Sequence, residues 1–214
     1  MSTANLNTIP PSVRQILGSY GVYAKDILEA HYQPLYSILA YPAAGAANFS
    51  FFTVGSTPAT LNATNLPGNG GSLPKPNNFL ILGIEILFKS GQAPGVIGTS
   101  GETAADDYNA VMDQASSYFE LKVGTKPYYQ IAPLSALPEQ TSPQYSVAIA
   151  DTAAAVIANV VPAVRTIGFT PLLLQYTESF YATITFPGGA VATPSTKAGK
   201  IGVKLNGYLY QNAQ

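Results

Sequence analysis

Histidine and cysteine carry much of the nucleophilic, acid–base and metal chemistry of proteins, and this chain has almost none of them. Its 214 residues include one histidine, His31, and no cysteine. Without cysteine there can be no disulfide, zinc–thiolate site, iron–sulfur cluster or thiol nucleophile. A Ser–His–acid triad would have to use His31, which lies in Glu-Ala-His-Tyr beside a predicted helix end, and no G-x-S-x-G sequence accompanies it. We therefore expect a capping or interface role for His31 and not a catalytic one.

Four carboxylates lie close together in the sequence, namely Glu102, Asp106, Asp107 and Asp113. Their oxygens could hold Ca²⁺, but their spacing does not match an EF-hand loop. Acidic residues also stabilise the first turn of a helix through its dipole, and alanines lie between these four. We therefore predict a short surface helix over residues 101–115 and no metal site. The two carboxylates of a glycosidase have no sequence motif, so the sequence leaves a hydrolase open as a minor alternative.

Glycine-rich segments at 68–71 and 95–101 are further candidates for ligand binding. Neither has the Lys-Ser/Thr of a phosphate-binding loop, and neither has a G-x-G-x-x-G sequence after a predicted strand. We interpret both as loops. The first belongs to a longer segment, 55–78, which contains four glycines and four prolines. Loops of this length inside a compact domain are commonly functional or interfacial.

The chain has unusually few charges. Charged residues make up 10% of it, against roughly 25% in ordinary soluble domains. Its 10 Lys and Arg and 11 Asp and Glu give a net charge of −1, so no basic surplus is present for direct binding of nucleic acid. Hydrophobic residues make up 47%, which excludes a disordered chain. The surface must be rich in uncharged polar residues and tyrosine, which suits a surface covered by other copies or by a partner.

The N-terminal residues 1–11 are small and polar, without the basic and apolar regions of a secretory signal. No run of about 18 apolar residues occurs, so we expect no membrane-spanning helix. These features predict a chain that is made in the cytoplasm of its host and is soluble there.

The alternation of apolar and polar residues predicts mostly strands, and segment 79–89 is the strongest. One face is expected to carry Leu80, Leu82, Ile84, Ile86 and Phe88, and the other Phe79, Ile81, Glu85, Leu87 and Lys89. Because both faces are largely apolar, this strand should be central in a sheet and covered on both sides. The other predicted strands are 35–41, 48–54, 118–123, 127–132, 145–149, 169–176, 180–186 and 201–210.

Two apolar segments do not fit simple alternation. Segment 12–30 has apolar residues at helical spacing, Ile16, Leu17 and Tyr20 among them, and predicts one or two short amphipathic helices. These would pack on the chain's own domain, under a neighbouring subunit or against a lipid layer. Segment 152–161 is apolar on all sides, so either a buried helix or a strand is consistent with it. With eight or nine strands, the predicted fold is an all-β antiparallel sandwich with short helices and long loops.

Several short segments together resemble the major capsid proteins of tailless icosahedral bacteriophages with jelly-roll coats. They are Tyr41-Pro-Ala-Ala-Gly45, Asn48-Phe-Ser-Phe-Phe52, Thr64-Asn-Leu66, Leu73-Pro-Lys-Pro76, Phe79-Leu-Ile-Leu-Gly-Ile84, Pro127-Tyr-Tyr129, Ala132-Pro-Leu134 and Val203-Lys-Leu-Asn-Gly-Tyr-Leu-Tyr210. The resemblance covers most of residues 32–211, with the segments in the same order.

The resemblance implies a single eight-stranded jelly roll over residues 32–214, preceded by an N-terminal arm of short amphipathic helices over residues 1–31. It also implies a structural protein of the virion, which assembles with its own copies into capsomers and an icosahedral shell. Minor capsid or penton proteins and an internal membrane are further implied partners. The family has no catalytic, cofactor or metal-binding residues to transfer.

The expected interface residues are Ile16, Leu17, Tyr20, Tyr208 and Tyr210. A β-sandwich binding module, such as a receptor-binding spike or lectin-like domain, is the alternative to a capsid subunit, and an enzyme is not expected. Large apolar and tyrosine-bearing faces buried between copies would distinguish the capsid subunit from the binding module.

Overall fold

The computed structural model describes residues 9–53, 63–66, 71–93, 96–98, 101–131, 133–134, 164–167 and 171–212. In this part of the chain the helices are α1 (Pro11–Ser19) and α2 (Ala104–Met112), with a short 3-10 helix at Ala24–Asp26. The strands are β1 (Ile27–Tyr32), β2 (Leu35–Tyr41), β3 (Asn48–Phe51), β4 (Asn77–Lys89), β5 (Tyr118–Val123), β6 (Lys126–Ile131), β7 (Val164–Ile167), β8 (Leu172–Leu174), β9 (Phe180–Thr185) and β10 (Gly199–Asn212). All strand pairs are antiparallel, and the predicted all-β sandwich is confirmed.

The described strands form two sheets of four rows each. In sheet A, β1 and β2 pair with successive parts of β10, so they form one row, and β7 and β8 form another row beside β4 in the same way. The rows of sheet A run from β1 and β2 through β10 and β4 to β7 and β8. Sheet B has the order β3-β9-β5-β6. The ten described strands therefore occupy eight rows, where the sequence predicted eight or nine strands.

The rows pair in a regular order. We number them along the chain, with β1 and β2 as row 1, β7 and β8 as row 6 and β10 as row 8. The sheet orders are then 1-8-3-6 and 2-7-4-5. Row 1 pairs with row 8, 2 with 7, 3 with 6 and 4 with 5. The described strands of the first half of the chain therefore run antiparallel to those of the second half, as in one long hairpin folded over two sheets.

The main core lies between the two sheets. Tyr41 of β2 stacks on Phe49 of β3, with ring centroids 5.1 Å apart, and meets Phe88 of β4 edge-on at 5.3 Å. Such pairs each add about 1 kcal/mol to the burial of the rings. The alternation predicted for segment 118–123 is confirmed, because Phe119 and Leu121 are fully buried in this core.

A β-bulge interrupts the pairing of β4 with β10. Asn206 of β10 pairs with Gly83, and the next residue, Gly207, pairs with Ile81. Leu82 is therefore an extra residue on β4 without a partner on β10. An extra residue shifts the alternation by one position, so the side chains before it change faces relative to those after it.

The bulge makes the predicted faces of β4 wrong for its first half. Phe79 and Ile81 face the main core together with Ile84, whereas strict alternation placed them on the opposite face. Leu80 and Leu82 lie on the outer face of sheet A. The prediction of a central strand is confirmed, because β4 lies between two other rows of sheet A. Apolar groups cover its outer face at Leu80 and Leu82 only, since Glu85 is half-buried and Lys89 is exposed on that face.

Helix α1 covers part of the outer face of sheet A. It begins at Pro11, a residue suited to the first turn because it has no N–H to leave unpaired. Val13 and Leu17 of the helix pack with Leu80 and Tyr210 of the sheet in a second, smaller core. Of the arrangements predicted for this segment, the structure has the helix on the chain's own domain.

The helical prediction is wrong for the end of segment 12–30. Gly21 has a φ of 76°, a conformation that favours glycine, and follows the end of α1. After the short 3-10 helix, Ile27–Tyr32 forms strand β1, which pairs with β10. The sandwich therefore begins inside the predicted N-terminal arm 1–31, and His31 lies in a strand instead of beside a helix end.

The chain is expected to lose stability at high pH because two of its tyrosines are buried. Burial raises the pKa of Tyr41 and of Tyr210 to about 12, from the usual tyrosine value of 10.0. Because the folded-state pKa lies above the unfolded one, this contribution to stability is complete below pH 10 and is lost as the pH rises toward 12. We expect the urea concentration at the unfolding midpoint to fall over this pH range. The midpoint of the Tyr41→Phe variant should fall less steeply, because it lacks one of the two hydroxyls. A midpoint that stays constant while tyrosinate forms in the urea-unfolded chain would contradict this.

Some predictions concern residues outside the described ranges. Segments 145–149 and 152–161 lie wholly outside them, as does half of the loop 55–78, namely residues 55–62 and 67–70. The strand predicted at 169–176 corresponds to β8, which is shorter. Those predicted at 180–186 and 201–210 are confirmed as β9 and β10.

Candidate interaction surface

The structure separates the five residues that the sequence nominates for an interface. Leu17 and Tyr210 are buried in the second core, and Ile16 and Tyr208 are half-buried beside them. Tyr20 is 42% exposed, and its hydroxyl donates a hydrogen bond to the carbonyl oxygen of Pro171. Of the five, Tyr20 therefore has the most surface available for a contact with another molecule.

Exposed apolar side chains are concentrated just after α1 and in β1. In the described part of the chain the exposed large apolar side chains are Tyr20, Tyr23, Leu28, Tyr32, Val96, Tyr128 and Tyr176. Four of these seven lie within residues 20–32, which we call the N-terminal surface. Tyr23 and Tyr32 are each 56% exposed and Leu28 is 51% exposed. Single exposed apolar residues are ordinary, but several in one short segment indicate an interaction surface.

Sequence reasoning missed three of these four residues. The one or two helices predicted over 12–30 would have placed Leu28 on an apolar, buried face. The pattern gave no reason to single out Tyr23, and Tyr32 lies beyond the segment. The exposure of Leu28 and Tyr32 depends on the pairing of β1 with the end of β10, which involves residues far apart in sequence. Local periodicity does not contain that information.

Tyr32 is held in one orientation although it is exposed. Its ring meets Tyr208 edge-on with centroids 5.6 Å apart, and its hydroxyl donates to Oδ1 of Asn206 at 3.3 Å. An aromatic side chain that is already ordered loses little entropy when it is buried by a partner. Tyrosines of this kind are frequent at the energetic centres of protein interfaces.

The outer face of sheet B is polar, and its charges compensate one another. Nζ of Lys122 lies 2.8 Å from Glu120 and 5.7 Å from the centre of the Tyr181 ring, and Gln130 donates to Glu120 at 2.6 Å. Burial alone would raise the pKa of Glu120, but the hydrogen bonds from Lys122 and Gln130 and the charge of Lys122 bring it below its usual value. The hydrogen bond with Glu120 likewise raises the pKa of Lys122.

One edge strand of each sheet, β2 in sheet A and β6 in sheet B, is protected against adding a further strand. At the free side of β2, the amide of Ile38 donates to the carbonyl oxygen of Ala63 at 2.6 Å. Asn65 accepts from the amide of Tyr36 at 2.9 Å at the same side. The edge strand β6 contains Pro127, which cannot donate to a neighbouring strand. At these two edges, association is therefore expected through side chains more than through edge-to-edge pairing.

The four carboxylates near α2 do not converge on one site. Asp106 forms a capping box with Thr103 at the start of the helix, as expected for an early acidic residue. Asp107 is fully buried and accepts hydrogen bonds from both the amide and the hydroxyl of Ser195, at 2.8 and 2.6 Å, and from the hydroxyl of Ser90. Among the described residues no group of three or more His, Asp or Glu side chains is placed to hold a metal ion.

A polar cleft of about 330 Å³ lies beside the partners of Asp107. Gln92 and Lys197 stand in its walls, and their backbone amides donate to the hydroxyls of Ser90 and Ser195, respectively. The buried carboxylate of Asp107 therefore holds both walls in place through these two serines. Of the described residues that line the cleft, Glu102 is the one carboxylate, whereas glycosidases use two.

Comparisons of the chain with models of protein families, with curated proteins and with solved structures find no match. Within the described residues, no helix has both the length and the apolar character needed to cross a membrane. Function must therefore be inferred from the residues and geometry of this chain.

Proposed function

We propose that this chain is the major capsid protein of a tailless icosahedral bacteriophage and that its sandwich is a single jelly roll. The observation that carries the proposal is the row order of the two sheets, 1-8-3-6 and 2-7-4-5. A jelly roll has eight antiparallel strands in two sheets, connected as two Greek keys. The pairing of each row with its counterpart from the other end of the chain supports this topology.

The row order argues against the immunoglobulin fold, a common alternative among β-sandwiches. In an immunoglobulin domain the first two strands of the chain are neighbours in one sheet. Here rows 1 and 2 lie in different sheets, and row 1 pairs with the last row. The order of sequence segments that resemble jelly-roll coat proteins is a separate line of support, since it depends on residue types and not on pairing.

Jelly rolls also occur in lectins and cupins, so the fold alone does not decide the function. The surface favours a shell subunit. The chain has 10% charged residues, compensated charges on the outer face of sheet B and protection at the edge strands β2 and β6. The N-terminal surface adds exposed tyrosines and a leucine. This combination suits repeated contacts between copies in capsomers with closed symmetry.

The virion is the proposed location, after synthesis in the host cytoplasm. With a net charge of −1, the chain itself offers little attraction to a genome. Another component of the particle would face the nucleic acid, either an internal lipid layer or a second protein. Minor capsid or penton proteins are the remaining proposed partners. Helix α1 uses its apolar face on its own domain, so a lipid contact would involve other residues.

Removing the exposed apolar groups of the N-terminal surface should weaken assembly. The variant carries Tyr23→Ser, Leu28→Ser and Tyr32→Ser together. If each side chain contributes about 1 kcal/mol to contacts between copies, the concentration at half-assembly should rise roughly 100-fold. Sedimentation velocity over a concentration series measures this midpoint. Because all three groups are exposed, the thermal unfolding of the unassembled chain should change little.

A matched control is Tyr128→Ser on β6, which removes an equally large side chain that is 46% exposed at another place. We expect the control to assemble like the parent chain. If the triple variant assembles normally, or if only the control fails to assemble, the N-terminal surface is not the contact between copies.

The cleft beside Asp107 favours a second candidate function, a binding module on a virion or cell surface. Its lining includes Gln92, Glu102 and Lys197, residue types that bind polar ligands. Binding to a glycan array by a chain that remains monomeric would favour this candidate over the capsid subunit.

A further inference from the structure

We propose that Glu29, His31, Asn77 and Gln211 form a binding site for one divalent transition-metal ion at one end of sheet A. The four residues line the same small cavity together with Leu209 and Tyr210, and its volume of about 10 Å³ is the space of a single water molecule or bare cation. Donors of this kind, an imidazole nitrogen with carboxylate and amide oxygens, suit ions such as Zn²⁺. The proposal does not depend on the capsid function.

The register of the sheet brings these donors together. Glu29 of β1 pairs with Gln211 of β10, and Gln211 pairs with Asn77 of β4, so the three residues form one line across three strands. His31 lies two positions beyond Glu29 on β1 and therefore points to the same face. No two of the four residues on different strands are close in sequence, so only the folded sheet assembles the site.

One ring nitrogen of His31 has a hydrogen-bond partner within the chain. Nε2 of His31 lies 2.9 Å from Oε1 of Gln33. With Nε2 as the donor to this amide oxygen, the lone pair of the neutral ring is on Nδ1. Metal-binding histidines commonly donate their other ring N–H to an oxygen in this way, which orients the ring and raises its basicity as a ligand.

A second donor lacks a partner within the described part of the chain. Oδ1 of Asn77 is buried and accepts no hydrogen bond there. A buried acceptor without a partner costs about 1–3 kcal/mol, so such an atom calls for an explanation. Coordination of a cation in the cavity that Asn77 lines would satisfy it. Glu29 and His31 are exposed, so an ion from solvent can reach the site.

Nuclear magnetic resonance tests the site directly, because His31 is the chain's single histidine and gives one pair of imidazole nitrogen signals. In the ¹⁵N-labelled full chain near neutral pH, we expect the Nε2–H tautomer before metal is added. Addition of one equivalent of ZnCl₂ should shift the Nδ1 signal to a metal-bound position, and EDTA should reverse the shift. Absence of a shift with several equivalents would mean that the cavity holds water only, and would overturn the proposal.

Variants decide whether the four residues act together. We expect Glu29→Gln and Asn77→Ala each to weaken Zn²⁺ binding at least about tenfold in competition with a chromophoric chelator. Glu102→Gln, which alters a carboxylate outside this cavity, should bind like the parent chain. Zinc binding that His31→Ala abolishes but Glu29→Gln and Asn77→Ala leave unchanged would be binding to an isolated surface histidine, and would also overturn the proposal.

Discussion

Replacing Gly207 with alanine is expected to destabilise the sandwich by about 3 kcal/mol, at the upper end of overpacking costs. Gly207 lies opposite the bulge of β4, where the two central strands of sheet A approach closely. A Cβ atom at this position would overlap the carbonyl oxygen of Leu80 and lie 2.9 Å from the ring of Phe79. The carbonyl oxygen of Leu80 is part of the backbone in the middle of the sheet. It therefore cannot move aside without breaking the pairing between β10 and β4.

Urea unfolding followed by circular dichroism measures this loss, and Gly18→Ala is its matched control. Gly18 lies in α1, and a Cβ there would meet nothing within 4 Å. Alanine at that helical position should stabilise the chain by up to about 1 kcal/mol. The two variants make the same chemical change, but one is expected to lower the stability and the other to raise it. A Gly207→Ala chain as stable as the parent would mean that the close approach at the bulge is absent.

Asp107→Ala is the second change with a large expected effect. We expect it to lower the free energy of unfolding by about 4 kcal/mol. The carboxylate of Asp107 is fully buried and accepts three hydrogen bonds, from the amide and hydroxyl of Ser195 and from the hydroxyl of Ser90. The substitution would leave these three donors without their acceptor. Each buried donor without a partner costs about 1–3 kcal/mol. The loops before β10 and after β4 would also separate, because the same carboxylate binds both.

The neighbouring Asp106→Ala serves as the control for Asp107→Ala. Asp106 is on the same helix but acts only at its N-terminus, where it bonds to Thr103, so its loss should cost about 1 kcal/mol. The difference between the two variants, measured from urea midpoints, isolates the buried role of Asp107. If the two variants are equally stable, the hydrogen bonds to Asp107 do not hold the loops.

The fold class could be predicted because most strands have one polar face, and alternation is a local property. Segment 118–123 is an example, with Phe119 and Leu121 on the core side as predicted. The faces of Phe79 and Ile81 could not be predicted, since the bulge at Leu82 depends on the partner strand β10. The same holds for Ile27–Tyr32, whose strand conformation is stabilised by pairing with residues 208–212 and not by its own sequence.

The candidate sites depended even more on contacts between distant residues. Asp107 has the same local sequence setting as Asp106, but the loop that contains Ser195 closes over it and makes it a buried acceptor. The line of Glu29, Gln211 and Asn77 exists only through the register of three strands. Among the residues nominated for an interface, Tyr20 is exposed, whereas Leu17 and Tyr210 are used within the chain's own second core.

The central claim, that this chain is a subunit of a shell, is tested most directly by its mass in solution. The measurement is light scattering after size exclusion, with negative-stain microscopy of any large species. We predict capsomer-sized oligomers at low concentration and closed shells as concentration or salt rises. A monomer of 22.4 kDa at every concentration and salt, both alone and when mixed with lipid vesicles, would contradict the account.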